Sequence, residues 1–295
     1  MIEEVKFLFL TNICPVMSIK KLSGGLSNEI YLINNFYIWK VFKNKYLFNH
    51  KTEKKIIENS KDHILYYSDN NNICYNFIEG DNITKEYFNE NLNDIIQLSK
   101  NYHQLKINNI DNFWFDILPS WIKLIPQNSL FFFKNSINKE ELINIYNSIS
   151  KYLEKEFNNL EDDIVLCHHD IHQGNIIKNQ DRLFLIDLEF SFKNYYFVDL
   201  GNIICELFTD YNTQSYQYHL INDEIIYRVF KIYQNFNNSN LFTQNSNEYI
   251  NKIKIGIKIS HFYWCIWGIL VDSFCFNSDI NFDYIKFASK RYSQL

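Results

Sequence analysis

The residue types that could do chemistry are concentrated in Leu166-Cys167-His168-His169-Asp170-Ile171-His172-Gln173-Gly174-Asn175-Ile176-Ile177, followed shortly by Leu185-Ile186-Asp187-Leu188-Glu189-Phe190. The H-x-D-x-x-x-x-N spacing puts a carboxylate and an amide on one loop, and Asp187 supplies a second carboxylate at the end of an apolar strand-like run. Phosphoryl transfer to an alcohol needs this set: a carboxylate to orient the hydroxyl and accept its proton, and oxygen ligands for a Mg²⁺ that bridges the phosphates. Asp170 is then the catalytic base, Asn175 and Asp187 are the metal ligands, and His168 buttresses the loop. Mg²⁺ keeps several waters, so few protein ligands suffice. A rival reading takes His168, His169, Asp170 and His172 as a transition-metal cluster. Neighbours in a tight loop point different ways, and no further His or Cys stands at a spacing that completes such a site.

Glycine is scarce, seven residues in all, so its placement carries weight: Gly24, Gly25, Gly80, Gly174 and Gly201 fall beside candidate functional segments. Ser23-Gly24-Gly25-Leu26-Ser27-Asn28 lies between two strand-like runs. Its backbone N–H groups, with the Ser27 and Asn28 side chains, could hold phosphate oxygens, although an ordinary hairpin turn reads the same way. Lys40 stands in the strand-like Ile38-Trp39-Lys40-Val41-Phe42, where a charge among apolar residues needs a partner. Glu53 on the next helix is the natural one, giving a strand lysine held by a helix glutamate and reaching the nucleotide phosphates. The alternatives are a lysine that reaches solvent from an edge strand, or Glu58 as its partner.

These residues need elements to position them. Residues 16–42 alternate as three strands, VMSIKKL, EIYLI and FYIWKVF, followed by an amphipathic helix at about 49–61 and two more strands, HILYYS and ICYNFI. From about residue 83 the pattern turns helical, near 84–106, 139–158, 200–210, 222–236 and 247–272, interrupted by the strand-like IVLCHH and RLFLID. The expectation is an α+β chain with a small antiparallel-sheet lobe over residues 1–80 and a larger, mainly helical lobe over 81–295. No repeat and no Pro- or Gly-rich linker divides it, so the boundary near Gly80 reads as a hinge.

The formal net charge of −5 argues against a nucleic-acid partner, whose affinity rests on clustered Lys and Arg. Six scattered cysteines with no C-x-x-C pair suggest neither a zinc ribbon nor a disulfide scaffold, and reduced thiols in a cytoplasmic setting are the simpler expectation. Glu3 and Glu4 stand where a signal peptide would be basic, and the longest apolar stretch, around Phe262 to Val271, is shorter than the ~20 residues of a membrane span. Neither export nor membrane insertion is expected.

With these residues in hand, the chain resembles the choline/ethanolamine kinases, relatives of the aminoglycoside phosphotransferases with a bilobal protein-kinase-like fold. The resemblance runs from about residue 18 to the C-terminus, through SGGLSNEIYLI, CYNFIEG, CHHDIHQGNII, IDLEF-x5-YFVDLGNIICE and YW-x2-W. It implies ATP and Mg²⁺ as cofactors, with ATP between the lobes and adenine on the hinge backbone at Asn76, Phe77 and Ile78. It implies transfer of the γ-phosphoryl group to choline, as the first step of a phospholipid synthesis route. Ethanolamine is the nearest alternative substrate, and an aminoglycoside a more distant one. The alcohol pocket maps onto Asp170, His172, Glu206, Tyr211, Trp264 and Trp267, with Tyr284 or Phe287 from the last helix. Aromatic faces with a carboxylate suit a trimethylammonium, at roughly 0.5–2 kcal/mol for each cation–π contact. Family members are commonly dimers, so a homodimer is part of the expectation. Two residues depart from the family pattern: His169 stands where it usually has Asn, and Lys40 where it usually has Arg.

Overall fold

Both faces of the N-terminal sheet carry a helix, α1 at Ile2–Asn12 and α2 at His50–Asn59, whereas the sequence pattern predicts only the second. In the computed structural model, which describes residues 2–22, 28–43, 50–156, 163–235, 246–274 and 282–295, the chain opens with α1 (Ile2–Asn12). There follow β1 (Ile19–Leu22), β2 (Asn28–Ile33), β3 (Tyr37–Phe42), α2 (His50–Asn59), β4 (Leu65–Ser68) and β5 (Asn72–Asn76). The five strands form one antiparallel sheet in the order β1-β2-β3-β5-β4. Side chains alternate along β3: Tyr37, Trp39 and Val41 pack with Val5 and Phe9 of α1, whereas Lys40 points to α2 and meets Glu53. Phe9 lies edge-on to Tyr37 and Trp39, with ring centroids at 5.2 and 5.9 Å, which anchors α1.

The chain continues through β6 (Asp81–Asn82), α3 (Lys85–Glu90), α4 (Leu92–His103), a π-helical turn at Phe113–Ile117, α5 (Leu118–Leu124), α6 (Leu130–Asn135) and α7 (Lys139–Glu156). Next come β7 (Ile164–Cys167), the hairpin β8 (Ile176–Asn179) and β9 (Arg182–Leu185), β10 (Phe192–Tyr195) and α8 (Tyr196–Leu207). A short ribbon, β11 (Thr209–Asp210) and β12 (Ser215–Tyr216), precedes α9 (Asp223–Asn235), α10 (Ser246–Phe274) and α11 (Tyr284–Tyr292). Packing divides the chain into two units, Met1–Asn82 with Ile177–Ser191, and Ile83–Ile176 with Phe192–Leu295. The segment 177–191, assigned from sequence to the second lobe, therefore belongs with the first. The reason is local: β6 pairs with β8, and the 3₁₀ turn after β9 carries Glu189 to Lys40.

In the second unit β7 and β10 form an antiparallel pair, and α8 crosses α10 in backbone contact. A Cβ on Gly201 would stand 2.4 Å from the carbonyl carbon of Gly256, and one on Gly256 would stand 2.0 Å from Phe197 O. Only glycine at both positions lets the helices approach so closely, and α8 carries Glu206 while α10 carries Trp264 and Trp267. Among the described residues no helix is long and apolar enough to cross a membrane.

Candidate active site

The loop after β7 is built around a backbone conformation that its sequence does not favour. His169 has φ +66°, in the left-handed region that costs a non-glycine residue roughly 1–2 kcal/mol. Asp199, fully buried at the start of α8, compensates: Oδ2 accepts the His168 backbone N–H and Oδ1 that of His169, each at 2.8 Å. The His103 imidazole donates to Asp199 Oδ2 at 2.9 Å. Burial would raise the Asp199 pKa, but the His103 hydrogen bond and charge, with the donated amides, hold it below the usual carboxylate value. Tyr263 Oη donates to the His169 carbonyl, and Asn194 Nδ2 lies 2.9 Å from His169 Nε2. The residue before Asp170 is thus fixed at its amide, its carbonyl and its ring.

Asp170 leaves this loop half-buried, and Asn175 Nδ2 donates to its Oδ2 at 2.7 Å and to its carbonyl at 3.0 Å. His168 Nδ1 lies 3.3 Å from the Asp170 amide, the buttressing expected of it. The His172 ring lies over Gly174, where a Cβ would stand 2.6 Å from Cε1, and the Gly174 amide donates to Nδ1 at 3.1 Å. That bond leaves Nε2 as the protonated nitrogen, 3.7 Å from Asp170 Oδ2.

From His172 an aromatic series runs without interruption. His172 meets Tyr211 at 5.6 Å between ring centroids, Tyr211 meets Phe282 at 6.5 Å, and Phe282 meets Tyr284 at 4.9 Å. Tyr284 meets Trp267 at 5.8 Å and Trp267 meets Trp264 edge-on at 5.1 Å. Tyr284 and Phe287, read from sequence as alternatives, stand one turn apart on α11 and both touch Trp267. The Trp264 indole N–H donates to Asn202 Oδ1 at 3.0 Å, so α8 fixes that ring too. Glu206, 1% exposed, lies near the end of the same helix: its Oε1 accepts from Arg291 Nη2 at 2.8 Å, and its Oε2 is buried with no hydrogen-bond partner among the described residues. The Tyr211 hydroxyl lies in the fields of both Glu206 and Asp170, and burial together with these charges pushes its pKa well up.

The first unit holds a separate electrostatic cluster. Lys40 Nζ lies 2.8 Å from Glu189 Oε2, 3.0 Å from Glu53 Oε1 and 3.1 Å from Asp187 Oδ1. The Lys40–Glu53 pair read from the sequence is present. Burial alone would lower the lysine, but the carboxylates of Asp187, Glu189 and Glu53 outweigh it and raise its pKa well above the usual value. One cation cannot balance three acids. Burial, reinforced by the Asp187 charge, pushes Glu189 up to about 8 despite Lys40.

Asn28, expected on phosphate, is buried and turned inward, donating to Glu189 and accepting from the Lys43 amide at 3.2 Å. Gly24, Gly25, Leu26 and Ser27 lie outside the described residues. On the expected hinge, the Asn76 amide donates to Ile64 O and the Phe77 amide to Phe36 O, and among the described residues the Ile78 amide has no backbone partner.

Among the described residues, the acid, thiol and imidazole atoms close enough to hold one ion are those of His103, Cys167 and Asp199. They are committed internally, the thiol donating to Tyr195 O and His103 bonding Asp199. His168, His169, Asp170 and His172 do not form the transition-metal cluster considered above.

A model of the choline/ethanolamine kinase family matches residues 19–295. The chain belongs to the choline/ethanolamine kinase family. It is 25% identical to the probable ethanolamine kinase A of Dictyostelium discoideum over 94% of this chain and 84% of that one. It is 27% identical to human ethanolamine kinase 1 over 78% of this chain, a match that spans only 53% of that relative. Its fold superposes on Plasmodium vivax ethanolamine kinase with a TM-score of 0.76 at 18% identity, covering 98% of this chain and 86% of that one. For the choline kinase LicA of Streptococcus pneumoniae the TM-score is 0.71 at 20% identity, covering 99% and 96%. An aminoglycoside phosphotransferase in complex with gentamicin gives 0.60 at 18% identity, covering 98% and 95%. This establishes the kinase-like fold expected from sequence.

Asp199, His103, Asn202, Glu189, Phe282 and Arg291, which the structure places in contact with the expected site residues or their loop, are not among the residues the sequence predicts. The D-x-G-N run displayed Asp199 and Asn202 in plain view, and Glu189 stands two residues after Asp187. Arg291 carried no signal, because its partner is 85 residues away.

Proposed function

We propose that the protein transfers the γ-phosphoryl group of ATP to the hydroxyl of a small amino alcohol, choline or ethanolamine, with Mg²⁺. The observation that carries this reading is the unbroken path, within one unit, from the Asp170 carboxylate through His172 and Tyr211 to the box of Phe282, Tyr284, Trp267, Trp264 and Phe287. A base stands at one end of this path and cation-binding faces at the other, as a short alcohol with an ammonium head requires.

Asp170 orients the substrate hydroxyl and takes its proton as the oxygen attacks phosphorus. Asn175 donates to Asp170 Oδ2 and so fixes the carboxylate on its loop. Lys40 steadies the nucleotide phosphates. Asn175 and Asp187 are the Mg²⁺ ligands in this scheme, and the carboxylate surplus around Lys40, with Asp187 one-third exposed, suits a hard divalent cation. When bound, Mg²⁺ neutralises the charge that builds on the transferring phosphoryl group. Adenine is assigned to the segment Asn76–Ile78, through the Ile78 backbone.

Choline follows from the aromatic faces, which hold a trimethylammonium without hydrogen bonds. Ethanolamine is favoured by the partnerless Glu206 Oε2, since a primary ammonium can donate to it and a quaternary one cannot. ATP turnover measured side by side with choline, ethanolamine and kanamycin decides among them. Turnover with kanamycin alone would reject the amino-alcohol reading.

A further inference from the structure

An arginine is out of place beside a pocket meant for a cation. Arg291, on α11, is fully buried, with its guanidinium 5.1 Å from the Phe287 ring and 5.0 Å from the Tyr218 ring. It takes one oxygen of Glu206, and both side chains are almost wholly excluded from water. Lys85, which donates to the Glu206 backbone carbonyl, lies in the field of Asp210 and Glu86 as well as that of Glu206. Arg291 and Lys85 thus set two cations against Glu206 and its acidic neighbours Asp210 and Glu86, which weakens the negative field that a polycation would need.

We propose that Arg291 is a positioning residue for the amino-alcohol site: by holding Glu206 Oε1 it fixes the carboxylate so that Oε2 meets a single ammonium, and it cancels the charge that would admit larger cations. The inference rests on the amino-alcohol reading of the aromatic box. A carboxylate with both oxygens loose would swing among rotamers, whereas a planar guanidinium packed between two rings offers it one geometry. The same pairing explains how a fold shared with a gentamicin-binding relative can be narrowed to a substrate with one positive charge.

The test compares Glu206→Gln, Arg291→Lys and the double variant Glu206→Gln/Arg291→Met with wild type. KM is measured for ethanolamine, choline and ATP, alongside kcat and the melting temperature. If Arg291 works through Glu206, Arg291→Lys raises KM for the preferred alcohol by about 10-fold, one charge-assisted hydrogen bond misplaced, and leaves KM for ATP within about 2-fold. The double variant, which leaves no buried charge unpaired, is then no worse in KM than Glu206→Gln alone. An alcohol KM unchanged in Arg291→Lys overturns the inference, as does a double variant whose KM loss multiplies beyond that of Glu206→Gln. If Arg291→Lys does not fold, the comparison of Glu206→Gln with the double variant decides. Wild-type enzyme inactive on both alcohols would instead sink the function proposed above.

Discussion

Asp199 grips His169 by its backbone: the Asp199 Oδ1 atom accepts the His169 amide at 2.8 Å, immediately before the residue proposed as the base. Aspartate here balances a left-handed backbone at a bulky residue, and His103 in turn steadies the aspartate. Asp199→Asn replaces one acceptor oxygen by an NH₂ group facing an N–H donor, so a buried donor loses its partner at about 1–3 kcal/mol. The expected result is a fall in kcat of at least ~10-fold, with KM for ATP little changed. Stopped-time assays on protein shown to be folded by circular dichroism check this; an unaltered kcat would mean that the loop holds its shape without Asp199.

Asp170→Asn keeps the shape of the side chain and removes its basicity. Turnover should drop by roughly 10²–10⁴-fold, the usual contribution of a positioned base. Nucleotide affinity, measured by calorimetry with ADP and Mg²⁺, should stay within a few-fold of wild type. Retained turnover would remove Asp170 from the mechanism.

The contrast between these residues and Arg291 shows what a linear sequence makes legible. Asp170 and Asn175 lie on one loop, so their spacing along the chain is their spacing in space. Lys40 and Glu53 are nearly as easy, since a buried lysine in a strand needs an acid and the next helix offers one. Other features escape for physical reasons. In α1 only Val5 and Phe9 are buried, too few to set a period, and α5 and α6 span just 7 and 6 residues. Glu189 gives no local sign in the sequence that a tight turn carries it inward to Lys40. Asn28 reads as a phosphate ligand, because the acid it bonds is 161 residues away.

Lys40 pairs with three acids, so its removal should cost more than one salt bridge. Lys40→Met leaves Glu53 and Glu189 buried without their cation. Stripping one partner from a buried ionic group typically costs about 3–5 kcal/mol. Urea denaturation of the variant should show a loss of that order, together with a raised KM for ATP. A stability within about 1 kcal/mol of wild type would mean that the acids are neutralised by their own protons, and that Lys40 contributes little to the fold.

His63 predicts how the first unit responds to acid. It is 7% exposed, its Nδ1 lies 3.1 Å from Ser60 Oγ, and burial pushes its pKa down to about 4 although Asp62 pulls the other way. The unfolded chain takes up this proton near pH 6.5, the folded chain only near 4. Between those values the unfolded state binds more protons, so the stability due to a neutral His63 is complete above pH 6.5. It is lost as the pH falls towards 4, by up to about 1.4 kcal/mol per pH unit. Carboxylates add their own losses in the same range, so the informative quantity is the difference between wild type and His63→Gln, which cannot titrate. Wild-type melting temperature should fall more steeply than that of the variant from pH 6.5 to 4.5, and the two curves should run parallel above pH 7. Parallel curves throughout would mean that His63 is hydrated and protonates without opening the structure.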